Sequence, residues 1–254
     1  MHEPPDAPDW WADFYECPDS VPLSSFPTDR ETRQEVSALA RLLDLRTGLR
    51  VADICCGAGR HLVPLAVRGL RMTGVDASAM MLGRAREATA RAGVAALLLR
   101  GDARRLPFRD AGFDVALNLF NSFGYCETDE ENEQVIREAA RVLCPGGQFL
   151  LETRNPQFQI LFAPVSQRVR GADGTPLLLR STYDLPRRRL VLTWSRPTQP
   201  DTPLHRAGMR LYQPDELEQM AARAGLEAVG TYGDLEGTPY EGWERLLVCH
   251  WRRR

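Results

Sequence analysis

The segment VADICCGAGRH, residues 51–61, constrains the fold more than any other part of the 254-residue sequence. A short apolar run ends in Asp53, and Gly57 and Gly59 follow closely. Glycines directly after a strand let the backbone turn tightly and approach a nucleotide-like ligand at the start of a helix. The segment therefore predicts a strand, a ligand-binding turn and a helix in that order.

From residue 49 onward, apolar runs of strand length alternate with helical patterns. The runs LRVADI, LRMTGVD, AALLLRGD, FDVALNLF and QFLLET predict five strands. Ser78 caps a helix that runs to about Gly93, and Thr128 with Glu131 forms a capping box at the start of a later helix. Strands that alternate with helices predict an α/β fold with a doubly wound, mainly parallel sheet.

Changes in pattern divide the chain into four segments. Residues 1–28, rich in proline and aromatic residues, predict an arm or lid with DWWADFYE as a short helix. Residues 29–155 form the alternating core. Residues 156–212 contain extended runs without a clear helix and predict an antiparallel β insertion, which serves either as a substrate roof or as a dimer sheet. Residues 213–254 return to the core with one helix and two strands.

Composition excludes several kinds of chemistry. The net charge is −2, which gives no overall attraction to nucleic acid or to an anionic membrane. The chain contains no lysine, so catalysis through a lysine Schiff base or a P-loop lysine is excluded. The six cysteines and four histidines lack zinc-site spacing, which predicts free thiols and no metal. No apolar run approaches membrane-spanning length and no signal pattern precedes the core, so we expect a cytoplasmic protein.

Polar residues follow the first four predicted strands. Asp76 ends the second strand, where a carboxylate accepts ribose hydroxyls, and Asp102 ends the third, where it would accept an adenine amino group. Asn118 and Phe120 follow the fourth. The alternative for the acids is a simple helix-start or turn role. A dinucleotide fingerprint is not met, because Leu62 occupies its third glycine position.

The motifs VADICCGAGRH, GVDAS, GDARRLPF, FDVALNLFNSFGY and ARVLCPGGQFLLE resemble, in order, those of class I S-adenosylmethionine-dependent methyltransferases. The resemblance covers about residues 29–254 and is greatest to a bacterial small-molecule branch with an SFGY signature. It implies a Rossmann-like fold of seven strands with an antiparallel C-terminal strand, and S-adenosyl-L-methionine as cofactor. The implied cofactor-binding residues are Asp53, Cys55, Gly57, Gly59, Asp76, Ala77, Met81, Asp102, Ala103, Asn118, Phe120 and Arg33.

One residue departs from the family pattern. Cys55 occupies the first glycine position of D-x-G-x-G-x-G. Because a side chain is costly at positive φ, we expect an ordinary turn with negative φ at this position. Cys56 is then expected to pack inward as a small apolar residue, and neither thiol to serve redox chemistry.

Aromatic residues are the candidates for handling the methyl acceptor. Tyr125 is the first candidate for a catalytic hydroxyl, followed by Tyr15 and Tyr212. The aromatic side chains of the arm either dock on the domain or close over the cofactor sulfonium. From the insertion we expect Arg170, Arg180 and Tyr183 to line a cleft with Tyr125 and Tyr212.

These observations favour an enzyme that moves a methyl group to a small-molecule acceptor, an amine nitrogen, by in-line displacement. A nucleic-acid methyltransferase is the first alternative, but residues 121–124 read NSFG rather than the [DNS]-P-P-[YF] motif of amino-methylating DNA enzymes. A non-catalytic S-adenosylmethionine-binding protein is the second. We expect no nucleic-acid or membrane partner, and a homodimer is possible through the insertion.

Overall fold

The computed structural model describes residues 10–16, 27–171 and 174–254. Helix α1 belongs to the predicted arm and confirms the helix expected in DWWADFYE. Residues 1–9 and 17–26 of the arm, including Cys17, lie outside the described residues. The helices are α1 (Trp10–Phe14), α2 (Asp29–Leu42), α3 (Leu62–Val67), α4 (Ala79–Ala92), α5 (Asp129–Val142), α6 (Pro156–Phe162) and α7 (Pro214–Arg223).

The strands form two separate sheets. They are β1 (Arg50–Ile54), β2 (Arg71–Asp76), β3 (Leu97–Arg100), β4 (Phe113–Asn118), β5 (Leu143–Arg154), β6 (Val165–Arg170), β7 (Pro176–Asp184), β8 (Arg189–Arg196), β9 (Gln199–Arg210), β10 (Leu226–Tyr232) and β11 (Leu246–Arg253). One sheet has the order β10-β11-β5-β4-β1-β2-β3, and the other has the order β6-β7-β8-β9. Strands β1 to β5 are parallel, whereas β11 is antiparallel to both β5 and β10. The predicted fold class is confirmed.

Alternating side chains of the large sheet enter two apolar clusters. On β5, Phe149 and Leu151 pack into one cluster with Ile136 of α5, whereas Leu150 packs into the other with Leu39 of α2. Both faces are therefore covered by helices, as a parallel sheet requires. The predicted capping box at the start of α5 is also confirmed, and Thr28 with Glu31 forms another at the start of α2. In the described part of the chain, no helix has the length and apolarity needed to span a bilayer.

The expectation that residues 156–212 contain no helix is wrong, because α6 opens this region. The Asn155 side chain accepts a hydrogen bond from the Gln157 N–H at 2.9 Å, and Pro156 occupies the first helical turn. A capping residue followed by proline is a helix-start signal, which the extended runs further along the segment obscured. The four-stranded sheet that follows has its own apolar cluster, which contains Leu190 and Trp194.

Candidate active site

A cavity of about 940 Å³ opens at the carboxyl ends of the parallel strands and extends to the four-stranded sheet. The loops after β1, β2, β3 and β4 form one wall, and α1 with strands β8 and β9 forms the opposite wall. Open α/β sheets bind their ligands at this edge, so the cavity is the candidate active site.

The glycine turn after β1 is shaped by two positive φ angles. Gly57 has φ +52° and donates its N–H to Asp76 Oδ2 at 2.8 Å. Gly59 has φ +82°, and a Cβ added there would lie 3.3 Å from Val63 and 3.4 Å from Ala85. The positive φ therefore favours glycine at residue 59, and a side chain there would also crowd Val63 and Ala85.

Asp76 is fixed at the end of β2 by two backbone donors. Besides the bond from Gly57, its Oδ1 accepts the Ser78 N–H at 2.9 Å. Burial raises the pKa of Asp76, while the hydrogen bonds from Ser78 and Gly57 oppose that rise. The carboxylate thus belongs to the glycine turn and lines the cavity in a fixed position.

The expectation of a negative φ at Cys55 is wrong: its φ is +62°. The turn places the Cys56 N–H on the Val75 carbonyl at 3.1 Å and the Gly57 N–H on Asp76, and these bonds hold Cys55 in the left-handed region. This region costs a residue with a side chain about 1–2 kcal/mol. Cys56 packs inward as expected, against Gly74 of β2. Burial raises the pKa of both thiols, so neither is a thiolate at neutral pH.

Most of the predicted cofactor residues meet at this cavity. Its lining includes Arg33, Cys55, Gly57, Gly59, Asp76, Ala77, Met81, Asp102, Ala103 and Phe120. Two predicted residues, Asp53 and Asn118, do not line it. Both are buried in their strands, and Asn118 Nδ2 donates to the Ile54 carbonyl at 3.1 Å. Burial, followed by the charge of Asp76, raises the pKa of Asp53 to about 7.

The Asp102 carboxylate lies at the cavity but is already engaged by a neighbouring arginine. Arg104 donates to Asp102 Oδ2 from Nε at 2.9 Å and from Nη2 at 2.7 Å. Arg104 Nη1 also donates to Glu131 Oε1 at 2.9 Å. A contact between Asp102 and an adenine amino group, as the motif predicts, would share this carboxylate with the guanidinium.

The segment around α1 docks over the start of α4. The Glu16 carboxylate accepts the N–H groups of Ala79 at 2.6 Å and Met80 at 3.2 Å, and Ser78 Oγ donates to the Tyr15 carbonyl at 2.8 Å. The aromatic side chains then divide: Trp10 and Phe14 pack against the cluster of the four-stranded sheet, while Trp11, Phe14 and Tyr15 line the cavity. Docking of residues 10–16 of the arm is thus observed, and closure over the sulfonium stays a prediction.

Two of the three candidate tyrosines meet. The hydroxyls of Tyr15 and Tyr125 lie 3.0 Å apart, and both residues line the cavity. Burial raises the pKa of each phenol, so both are neutral hydrogen-bonding groups at physiological pH. Tyr212 is placed elsewhere: it does not line the cavity, and its hydroxyl donates to Asp129 Oδ1 at 2.7 Å. Its ring packs on Phe123 with centroids 5.5 Å apart, because α5 and the end of β9 enclose it.

The four-stranded sheet contributes different residues from those expected. Arg170, Arg180 and Tyr183 do not line the cavity, and Arg180 pairs instead with Asp201 at 3.0 Å. The sheet residues that line the cavity are Leu192, Trp194, Ala207 and Met209. They belong to the face that carries the apolar cluster of this sheet, so its inner side forms the cavity wall.

The loop after β4 is held in a costly conformation. Phe120 has φ +58° and Asn121 has φ +61°, and each such non-glycine residue costs about 1–3 kcal/mol. Gly124 follows with φ +90°, and a Cβ added there would lie 2.1 Å from the Arg210 carbonyl oxygen. The close approach of β9 therefore requires glycine in NSFGY and fixes the position of Tyr125.

Several charged residues of the site were missed from the sequence. Arg60 pairs with Glu35 of α2 and lies over the Phe120 ring at 4.3 Å, and His61 Nε2 lies 2.8 Å from Glu35 Oε2. Glu152, at the carboxyl end of β5, is 3% exposed and lines the cavity. Burial, followed by the charge of Glu35, raises its pKa to about 7. A glutamate at the end of the apolar run QFLLET was the available signal, and the rule that selected Asp76 would have selected it.

Comparison with known proteins identifies the family. Residues 51–147 match the family described as "Methyltransferase domain". The chain is 31% identical over 230 residues to the cypemycin N-terminal methyltransferase of Streptomyces sp, which covers 82% of this chain and 83% of that protein. Among solved structures, CcbJ methyltransferase from Streptomyces caelestis is 26% identical, with a TM-score of 0.74 over 91% of this chain and all of that one. S-adenosylmethionine-bound CalS10 from Micromonospora echinaspora, at 21% identity, shares the fold with a TM-score of 0.63 over the full length of both chains.

The chain therefore belongs to the class I S-adenosylmethionine-dependent methyltransferases and is an enzyme of that family. S-adenosyl-L-methionine is its cofactor, and the residues fit it. Among the described residues, no atom lies within 4 Å of a Cβ added to Gly57, so the turn leaves room for a ligand. Asp76 offers the acceptor oxygens that ribose hydroxyls need. When bound, the cofactor supplies an electrophilic methyl group on sulfur.

Proposed function

We propose that this enzyme methylates an amine nitrogen of a small-molecule acceptor, held between the Tyr15–Tyr125 pair and the inner face of the four-stranded sheet. The observation that carries the proposal is the continuity of the cavity, which runs from the glycine turn to Trp194 and Met209. The name of the cypemycin relative, an N-terminal methyltransferase, supports nitrogen as the acceptor atom.

We call the part of the cavity that contains Glu152 and the small-sheet residues the acceptor end, and its electrostatics also favour an amine. Glu152 is buried there, and its carboxyl would interact favourably with a protonated amine. The opposite wall is apolar, with Leu192, Ala207 and Met209, so the amine is partly removed from water. Only the neutral amine is a nucleophile, so a protonated amine first gives its proton to the Glu152 carboxylate, and no stronger base is required for the transfer step.

The chain's own groups supply alignment. The neutral hydroxyls of Tyr15 and Tyr125 would donate or accept one hydrogen bond each and orient the acceptor nitrogen. In the transfer, the N–C bond forms as the S–C bond breaks, and the resulting ammonium then loses a proton to Glu152 or water. Apolar walls from the small sheet keep competing water away from the reacting atoms.

The test is an assay of S-adenosylhomocysteine release against a panel of amines, with the methylated atom identified by mass spectrometry and NMR. Tyr125→Phe is expected to lower kcat roughly tenfold while leaving cofactor affinity within twofold, because one orienting hydrogen bond is lost. Tyr212→Phe is the matched control and is expected to retain the wild-type rate, since Tyr212 lies outside the cavity. Products methylated only on oxygen or carbon would refute the proposal.

A further inference from the structure

Two arginines stand at the acceptor end of the cavity. Arg154 is the last residue of β5 and pairs with Leu246, and Arg245 immediately precedes Leu246 in the chain. Both line the cavity. The Arg154 guanidinium interacts electrostatically with Tyr125, Glu152 and Arg245. Burial, with a smaller contribution from Arg245, lowers the pKa of Arg154, although it stays protonated at neutral pH.

The Arg154 guanidinium lacks a complete set of partners. Its Nε is sealed from solvent and has no hydrogen-bond partner among the described residues. A buried donor without an acceptor costs about 1–3 kcal/mol, more for a charged group. Native structures rarely leave such a group unless a ligand, ion or water completes it.

A second unsatisfied donor comes from the opposite wall. Trp194 of β8 lines the cavity, and its Nε1 is also buried without a hydrogen-bond partner in the described part of the chain. Two buried donors and the Arg245 cation thus line one cavity. An occupant with anionic acceptor oxygens would complete them, and a guanidinium binds a carboxylate through two parallel hydrogen bonds.

The strand order separates these arginines from the cofactor ribose. Strands β5 and β11 lie on one side of β4, while β1 and β2, which carry the glycine turn and Asp76, lie on the other. Arg154 is therefore displaced along the sheet away from Asp76 and the glycine turn.

We infer that the acceptor carries a carboxylate beside its amine, with the carboxylate bound by Arg154 and Arg245 and the amine facing Glu152. The amine part of this inference rests on the proposed function. Glu152 and Arg154 are two residues apart on one strand, so their side chains share a face and their Cα atoms lie about 6.6 Å apart. That spacing suits the adjacent ammonium and carboxylate of an amino acid or of a larger molecule that ends in one.

The test compares amino acids with their primary amides, in which an uncharged amide group replaces the carboxylate, on protein saturated with S-adenosylhomocysteine. L-leucine, L-phenylalanine and L-tyrosine are each paired with their amides, and binding is measured by calorimetry. At least one acid is expected to bind ten times more tightly than its amide. Arg154→Gln is expected to reduce that preference to twofold or less, while Arg71→Gln, at an exposed arginine on the opposite end of β2, leaves it unchanged.

Three results would overturn the inference. Amides could bind as tightly as their acids, or the preference for the acid could survive in Arg154→Gln. In the third, Arg154→Gln loses as much affinity for S-adenosylhomocysteine as for the acid. The last would assign Arg154 to the cofactor. If Arg154→Gln does not fold, Arg245→Gln, at the more exposed partner, gives the same comparison with a smaller expected loss. Methylation distinguishes the two proposals. If amides are N-methylated and bind as well as acids, the proposed amine methylation stands and the carboxylate site is refuted. If acids bind through Arg154 but are methylated only on oxygen, the carboxylate site stands and amine methylation is refuted.

Discussion

The two ends of the cavity satisfy their polar groups in different ways. At the cofactor end, Asp76 already accepts two backbone N–H groups, and Asp102 is already paired with Arg104. At the acceptor end, Arg154 Nε and Trp194 Nε1 are buried without partners among the described residues, and Glu152 is buried with a raised pKa. The two carboxylates of the cofactor end are therefore held by the chain itself, although Arg60 Nη2 beside the glycine turn is also buried without a partner in the described part of the chain. The Arg154 and Trp194 donors depend on an occupant to complete them.

The largest expected effect is on the free energy of unfolding, and it tests how much the buried Glu152 carboxyl destabilises the folded protein when ionised. Glu152 has its pKa raised from 4.5 to about 7, so the folded state keeps a proton that the unfolded state has lost over that interval. The free energy of unfolding should therefore fall as pH rises from 4.5 to about 7, and the Glu152 contribution should amount to about 3 kcal/mol. In Glu152→Gln this contribution disappears.

The measurement is denaturant unfolding of both proteins between pH 4 and pH 8. The variant should gain stability relative to wild type as pH rises to about 7, with no further change above it. Asp53, whose pKa is also about 7, contributes equally to both proteins and cancels in the difference. Glu227→Gln, at an exposed residue, is the control. If the free energy of unfolding has the same pH dependence in wild type and in Glu152→Gln, ionisation of Glu152 does not destabilise the folded protein.

The next effect tests the cofactor end. Asp76→Ala removes the acceptor of the Gly57 and Ser78 N–H groups and the carboxylate that we propose accepts the ribose hydroxyls. Cofactor affinity is expected to fall by about 1–3 kcal/mol, or roughly 5- to 150-fold, in a protein that stays folded. Calorimetry with S-adenosylmethionine measures it, and Asp201→Ala in the four-stranded sheet is the control. Unchanged affinity in Asp76→Ala would remove this residue from the cofactor site.

The smallest effect concerns the strain stored in the glycine turn. Cys55→Gly relieves the positive φ but gives the unfolded chain more freedom, so we expect a net stabilisation below about 1 kcal/mol. Cys56→Gly removes a buried side chain that packs on Gly74, and should destabilise by about 1–2 kcal/mol. Thermal unfolding compares the two. Loss of methyl transfer in Cys55→Gly, with cofactor binding intact, would instead show that the thiol takes part in the reaction.

The sequence by itself determined the fold class, the order of the parallel strands and helices along the chain, and the position of the glycine turn. These features are local: a capping box needs residues three positions apart, and a glycine turn needs only the strand before it and the helix after it. For this reason Thr128, Gly59 and Asp76 were identified from short segments. Even here one detail depended on the whole turn, since hydrogen bonds to β2 hold Cys55 at positive φ.

Only the tertiary structure decided the acceptor end. Tyr15 and Tyr125 meet from 110 positions apart, and Arg154 shares a cavity with Trp194 of the other sheet. Tyr212 was a weaker candidate from the sequence, and its hydroxyl donates to Asp129 outside the cavity. Which side chains meet there depends on strand order and on how the small sheet docks over the large one. Docking is a sum of many weak contacts between distant segments, so no short pattern along the chain encodes it.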